Sequence, residues 1–321
     1  MKCIFCLEEK EPTKEHIFPS AIGGTLTIDR VCKQCNDWLG AKIDVLITDH
    51  DLILLKRAEM GMRDRAGNVI NPWENVFRNG VMADDPEQRV RIVSDSKTGH
   101  PVLKIIYKAT KTTLNNGDET VQITMDAQDI DQLGKVVQRY RRRDSLEPLS
   151  NGEIQALMDA AKANIRITHQ PEVKHSLKID IMDYKRAILK IAYELAWLWL
   201  GDKYLNDPVA EQLRNSILKD EDMDGIKGRI ELGGNMAPLS IWSGEPNAHI
   251  GLCRREGNNI AICVRVFSSI CGIVYVSETA DRYAMTDRSI DEGRFALIAP
   301  QGYSRHTSLS DELSRLSQRP S

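Results

Sequence analysis

An α+β architecture in separate parts follows from three observations. Two Cys-x-x-Cys pairs, Cys3 with Cys6 and Cys32 with Cys35, bracket a short stretch at the N-terminus. Further along, β-rich runs over 88–125 and 248–298 stand apart from helical patterns over 126–165 and 182–217. The chain of 321 residues is also longer than one compact core usually serves. Together they predict a metal-pinned module over 1–50, a connecting helix and loop over 51–86, and a larger mixed α+β region over 87–321.

The cysteine pairs come first. Four thiolates brought together make a closed tetrahedral site, the usual ligand set for structural zinc. Cys3, Cys6, Cys32 and Cys35 are the expected ligands. So short a segment buries little apolar area, whereas structural zinc supplies on the order of 10–16 kcal/mol. Between the pairs, Lys14 to Ile22 leads into a β-hairpin, Gly23-Gly24 signals a turn, and Leu26 to Val31 alternates as the second strand. A helix follows from near Asn36, with Trp38, Leu39, Ile43, Leu46 and Ile47 as its apolar stripe.

A second helix is expected from Leu52 to Met62, then a polar connection ending at Asp84-Asp85-Pro86. The runs Arg89 to Val93, Val102 to Lys108 and Thr120 to Met125 read as a β-meander, with Asn116-Gly117 as its hairpin turn. Two helical pieces follow, broken near Pro148. The first carries Lys135, Arg139, Arg141, Arg142 and Arg143, the densest basic cluster of the chain. It reads either as a solvated helix C-terminus that meets the helix dipole or as a contact for nucleic-acid phosphates. From Tyr184 to Trp199 apolar residues recur every three or four positions, which predicts a core helix stopped by Gly201. Another helix near Val209 to Leu218 ends in an acidic run over 220–224, expected to be a solvated loop. His249 to Arg254, Ile260 to Phe267 and Ile270 to Val276 read as adjacent antiparallel strands. They either join the 88–125 strands in one sheet or form a separate domain. The polar tail from Tyr303 reads as loosely ordered.

With 41% hydrophobic and 28% charged residues, the composition excludes a disordered chain. A net charge of −3 means that any affinity for nucleic acid has to come from a local basic patch. The N-terminus runs straight into Cys3 without a leader pattern, and Lys190 and Glu194 interrupt the longest apolar run. A cytoplasmic protein with no membrane partner is therefore expected. There thiols stay reduced, which favours metal over disulfide for the first four cysteines. Cys253, Cys263 and Cys271 lack paired spacing and read as buried core thiols.

Glu15-His16 lies inside the metal-pinned hairpin, and Asn36 directly follows Cys35. Phosphodiester hydrolysis needs a base for water and a divalent cation for the phosphate oxygens. A histidine on a rigid hairpin suits the first role. Glu15 and Asn36 offer oxygens of the kind that Mg²⁺ or Mn²⁺ accepts. The bland alternative is a satisfied Glu-His pair in an inactive module. Lys14 reads as a surface residue within reach of a backbone phosphate, and His50 as surface or packing.

Cys3-x-x-Cys6, Glu15-His16-Ile17-x-Pro19, Gly23-Gly24 and Val31-Cys32-x-x-Cys35-Asn36-x-x-Leu39-Gly40 together resemble the zinc-containing branch of the HNH, or ββα-metal, endonucleases. The resemblance spans residues 1 to about 50 and implies a treble-clef-like module. It also implies His16 as general base, with Glu15 and Asn36 as ligands of the catalytic cation. The motif's middle Asn corresponds to Thr27 here.

Three functions follow as expectations. The first is a metal-dependent DNA endonuclease whose C-terminal region gives specificity or control. The second is a prokaryotic defence effector of the same chemistry, silent until that region meets a ligand, a regulatory partner or a second copy. The third is a zinc-stabilised module that binds nucleic acid or protein without catalysis.

Overall fold

A computed structural model describes residues 1–318 apart from 65, 96–97, 114, 118, 178, 220–224, 234–235, 285–290 and 301. The chain folds as two compact units, one of Met1–Ile70 with Lys178–Ser321 and one of Asn71–Leu177. This division differs from the expected boundaries at 50 and 86. Residues of the first fifty share one hydrophobic core with residues from 184 onward, because so short a segment has too little apolar surface for a core of its own.

In the first unit, β1 (Pro12–His16) pairs antiparallel with β2 (Thr27–Cys32). Between them a 3-10 turn over Ser20–Ile22 closes on Gly23, whose φ of +83° favours glycine. A Cβ on Gly24 would lie 1.8 Å from the Phe18 carbonyl oxygen. Gly24→Ala therefore has to displace the turn behind His16, and a loss of about 1–3 kcal/mol is expected from the urea midpoint. An unchanged midpoint would show that the turn relaxes freely.

The helix α1 (Lys33–Lys42) begins before Asn36, because extended Cys32 takes the N-cap position. It breaks at Ile43, and α2 (Asp44–Thr48) and α3 (Asp51–Glu59) follow. Leu39, Ile43 and Ile47 are fully buried, so the expected stripe holds across the break.

The second unit contains α4 (Pro72–Asn75), β3 (Asn79–Met82), β4 (Arg89–Ser94), β5 (Pro101–Ile105), β6 (Lys108–Thr113), β7 (Glu119–Thr124), α5 (Leu133–Arg143), α6 (Asn151–Ala163) and β8 (Val173–Lys174). The expected meander divides here. One sheet has the order β5-β4-β3-β8, while β6 and β7 form a hairpin of their own. Asp126 accepts the Ile105 N–H at 3.0 Å at the last residue of β5. The helices match the two expected pieces, and α6 opens with a capping box of Ser150 and Glu153.

The first unit resumes with α7 (Ile181–Leu200), α8 (Pro208–Lys219) and β9 (Gly228–Leu232). Then come β10 (His249–Glu256), β11 (Asn259–Val266), β12 (Ile270–Ser277), α9 (Asp281–Ala284), β13 (Arg294–Ile298), β14 (Ser304–Ser308) and α10 (Leu309–Ser317). An antiparallel sheet runs β14-β13-β10-β11-β12-β9, separate from that of the second unit. Its central strands are almost wholly buried, since α7 packs on one face and Leu239 and Trp242 on the other. Cys253, Cys263 and Cys271 are core thiols there, as expected. The tail is not loose: Ser308 caps α10, and Glu312, 1% exposed, pairs with Arg305 and Arg315. The polar composition that suggested disorder is the solvated side of this helix. The acidic run over 220–224 lies outside the described residues. No helix among the described residues is long and apolar enough to cross a membrane.

Candidate active site

Cys3 and Cys6 sit on a tight turn closed by Leu7 N–H donating to the Cys3 carbonyl at 3.0 Å. Cys32 ends β2, and Cys35 lies in the first turn of α1. The hairpin register pairs Pro12 with Cys32 and so brings the two turns together. All four Sγ atoms lie within 4.8 Å of one another. Hydrogen bonding from Cys35 and from backbone N–H groups lowers the Cys3 thiol and favours its thiolate, the form that ligates metal. The donor set fits zinc, which would be held by Cys3, Cys6, Cys32 and Cys35.

The same hairpin places the expected chemistry. His16 closes β1, and its cross-strand neighbour is Thr27, the residue at the motif's middle position. The His16 ring is half-buried and makes no hydrogen bond to the described residues. Burial, and then the charges of Lys14 and Lys190, lower its pKa and favour the neutral imidazole. Asn36, on α1, donates its amide to Thr13 Oγ1 and to the Lys14 carbonyl, each at 3.0 Å. It thus ties the helix to the strand that carries His16, while its Oδ1 makes no hydrogen bond to the described residues.

The four cysteines, the hairpin, α1 and His16 at the strand end thus belong to one local unit. Residues 3–52 match the family model of the HNH endonucleases. No curated protein and no solved structure matches the chain. The HNH match extends from the first of the four cysteines to the start of α3 and carries nuclease chemistry as its family property.

Glu15 is placed differently from a solvent-facing ligand. It is 3% exposed, and its Oε1 lies 2.6 Å from Lys190 Nζ on α7. The same ammonium donates to the His16 carbonyl at 2.8 Å and lies 3.2 Å from Glu194 and 3.3 Å from Asp44. Burial raises the Glu15 pKa, and the Lys190 charge opposes it. Burial alone would discharge Lys190, but Asp44, Glu194 and Glu15 outweigh it and keep the amine protonated. Glu15 is thus paired with a buried ammonium through Oε1. Asn36 offers Oδ1. Mg²⁺ binds few protein oxygens and fills its shell with water and phosphate, so a carboxylate and an amide oxygen are donor types it accepts.

Lys190 and Asp44 were not expected in the site. The sequence did hold a signal, since Lys190 and Glu194 form an i,i+4 charge pair inside the otherwise apolar stretch 187–200 of the helix. His50 is buried and hydrogen-bonded to Tyr184, a packing role. Lys14 is exposed. Lys135, Arg139, Arg142 and Arg143 are exposed on α5, and Arg141 is half-buried. Arg141 donates to the Glu147 carbonyl, and Arg143 pairs with Asp144 at 3.0 Å.

Proposed function

We propose that the chain is a metal-dependent HNH endonuclease that hydrolyses DNA phosphodiester bonds. What supports this reading is a half-buried His16 at the end of a hairpin whose four cysteines lie within 4.8 Å of one another, inside the HNH match. His16 takes a proton from water. The oxygen so activated forms a new bond to phosphorus, the bond to the bridging oxygen breaks, and that oxygen leaves with a proton from solvent. Glu15 and Asn36 would hold a divalent cation, which would supply charge stabilisation for the phosphate and the leaving oxygen. Asn36 keeps the His16 strand on α1, and exposed Lys14 meets a neighbouring phosphate. Lys135, Arg139, Arg141, Arg142 and Arg143 are the proposed DNA contacts of the second unit.

His16→Ala should lower plasmid cleavage in Mg²⁺ or Mn²⁺ by about 10²–10⁴-fold and leave the zinc content equal to the parent's. Cleavage at the parent rate by this variant would end the proposal. No cleavage by either protein, with zinc intact, would favour a binding module or an effector awaiting its trigger. The defence-effector reading adds control by the C-terminal region or a partner. Full activity of the dilute, isolated protein would count against that addition.

A further inference from the structure

Helix α7 enters the HNH head with one buried amine. We propose that Lys190 is a positioning residue of this head: it holds the His16 backbone and the Glu15 carboxylate so that the imidazole is the group presented to substrate. The inference rests on the nuclease reading above. It is carried by geometry. Lys190 is 0% exposed and comes from 175 positions beyond Glu15 in the chain. Its hydrogen bonds run to the two neighbours Glu15 and His16, at 2.6 and 2.8 Å.

Packing alone does not call for a lysine here. Buried ion pairs are often replaceable by apolar residues of similar volume without loss of stability. What an apolar side chain cannot supply is a donor to the His16 carbonyl. With Asn36 bound to the Lys14 carbonyl, the residues on both sides of Glu15 are held through their backbones, one from α1 and one from α7. Glu15 is drawn inward by the amine. Three acids face that amine: Glu15 from β1, Asp44 from α2 and Glu194 from α7 itself. The break between α1 and α2 sets Asp44 at the start of α2, within reach of Lys190. The C-terminal part of the first unit is thus a component of the cleavage centre.

The test uses the full chain as Lys190→Met/Glu194→Gln, which removes the amine together with the buried acid one turn away. Lys190→Arg keeps the charge and moves the donors. Zinc content and thermal melting report the fold. The ¹³C-imidazole resonance of His16, assigned by its loss in His16→Ala, reports orientation without any need for cleavage. We expect a folded, zinc-loaded double variant with a shifted His16 resonance. Its kcat should fall by about 10²-fold at a nearly unchanged KM, as expected for a displaced reactive group. Lys190→Arg should move the resonance less. A parent-like resonance and kcat in the folded double variant would overturn the proposal. If the double variant fails to fold, the Lys190→Arg resonance decides alone, and a parent position overturns the proposal. If the parent itself cuts nothing, the nuclease reading has failed separately, and the resonance still decides whether Lys190 orients His16.

Discussion

Removing the zinc is expected to unfold the first unit, not merely to loosen its N-terminus. Structural zinc contributes on the order of 10–16 kcal/mol, against a total stability of roughly 5–15 kcal/mol for a typical domain. The four cysteines close the open end of the β1–β2 hairpin and the start of α1, so their release loosens both strands and the helix of the HNH head together. That head is not peripheral to its unit. Cys3, Ile4 and Phe5 are at most 2% exposed in the core that also holds α7. Tyr193 donates to the Ile4 carbonyl, and Arg214 donates to Tyr193 at 3.3 Å. Buried His249 binds the Ile22 carbonyl at 2.8 Å and stacks on Phe18. Burial holds this imidazole down at about 4, so it stays neutral at pH 7. Chelator, or Cys3→Ser, should abolish the tertiary signals of Trp38 and Trp197, which belong to this core. Melting that is unaffected by chelator, in protein that contains no zinc, would mean that the cysteines are only packed thiols.

The sequence made the HNH head legible because its signals are local. Cysteine spacing, the Gly23-Gly24 turn and the Glu15-His16 pair each act over a few residues, and the structure places them in one hairpin and one helix. The long helices and the central strands were legible from apolar period. What was hidden is what comes from far along the chain. No local pattern says that residues 71–177 interrupt the first unit, or that the gap is closed by α7. The role of Lys190 was hidden for the same reason. Its position inside an apolar stripe marks it as unusual, but its partners lie on β1 and α2 and are brought there by tertiary packing. The α10 tail misled because an amphipathic helix with a narrow buried face has the composition of a loop.

Truncating Lys190 should be among the most destabilising single changes in the chain. Lys190→Ala leaves Glu15 and Glu194, 3% and 0% exposed, without a counter-charge, and Asp44 beside them. Breaking a buried pair by removing one partner costs about 3–5 kcal/mol, because an uncompensated charge remains. Glu194 relieves part of this. Burial pushes its pKa well above the usual carboxylate range, so it can persist as the neutral acid. Glu15 has less freedom, since it lies between Lys14 and His16 on a strand fixed by the β2 ladder. The decisive comparison is urea unfolding at pH 7 of Lys190→Ala and of the charge-free triple variant Lys190→Met/Glu15→Gln/Glu194→Gln. The alanine variant should lose about 3–5 kcal/mol, while the triple variant stays within about 1–2 kcal/mol of the parent, because it removes charges together and conserves volume. Equal losses in both would mean that Lys190 matters through packing alone. A loss below about 1 kcal/mol in Lys190→Ala would place the cluster with solvated surface pairs. The expected pattern instead separates two properties of one amine: its charge stabilises the fold and is replaceable, whereas its hydrogen bond to the His16 carbonyl is what the apolar substitute cannot restore.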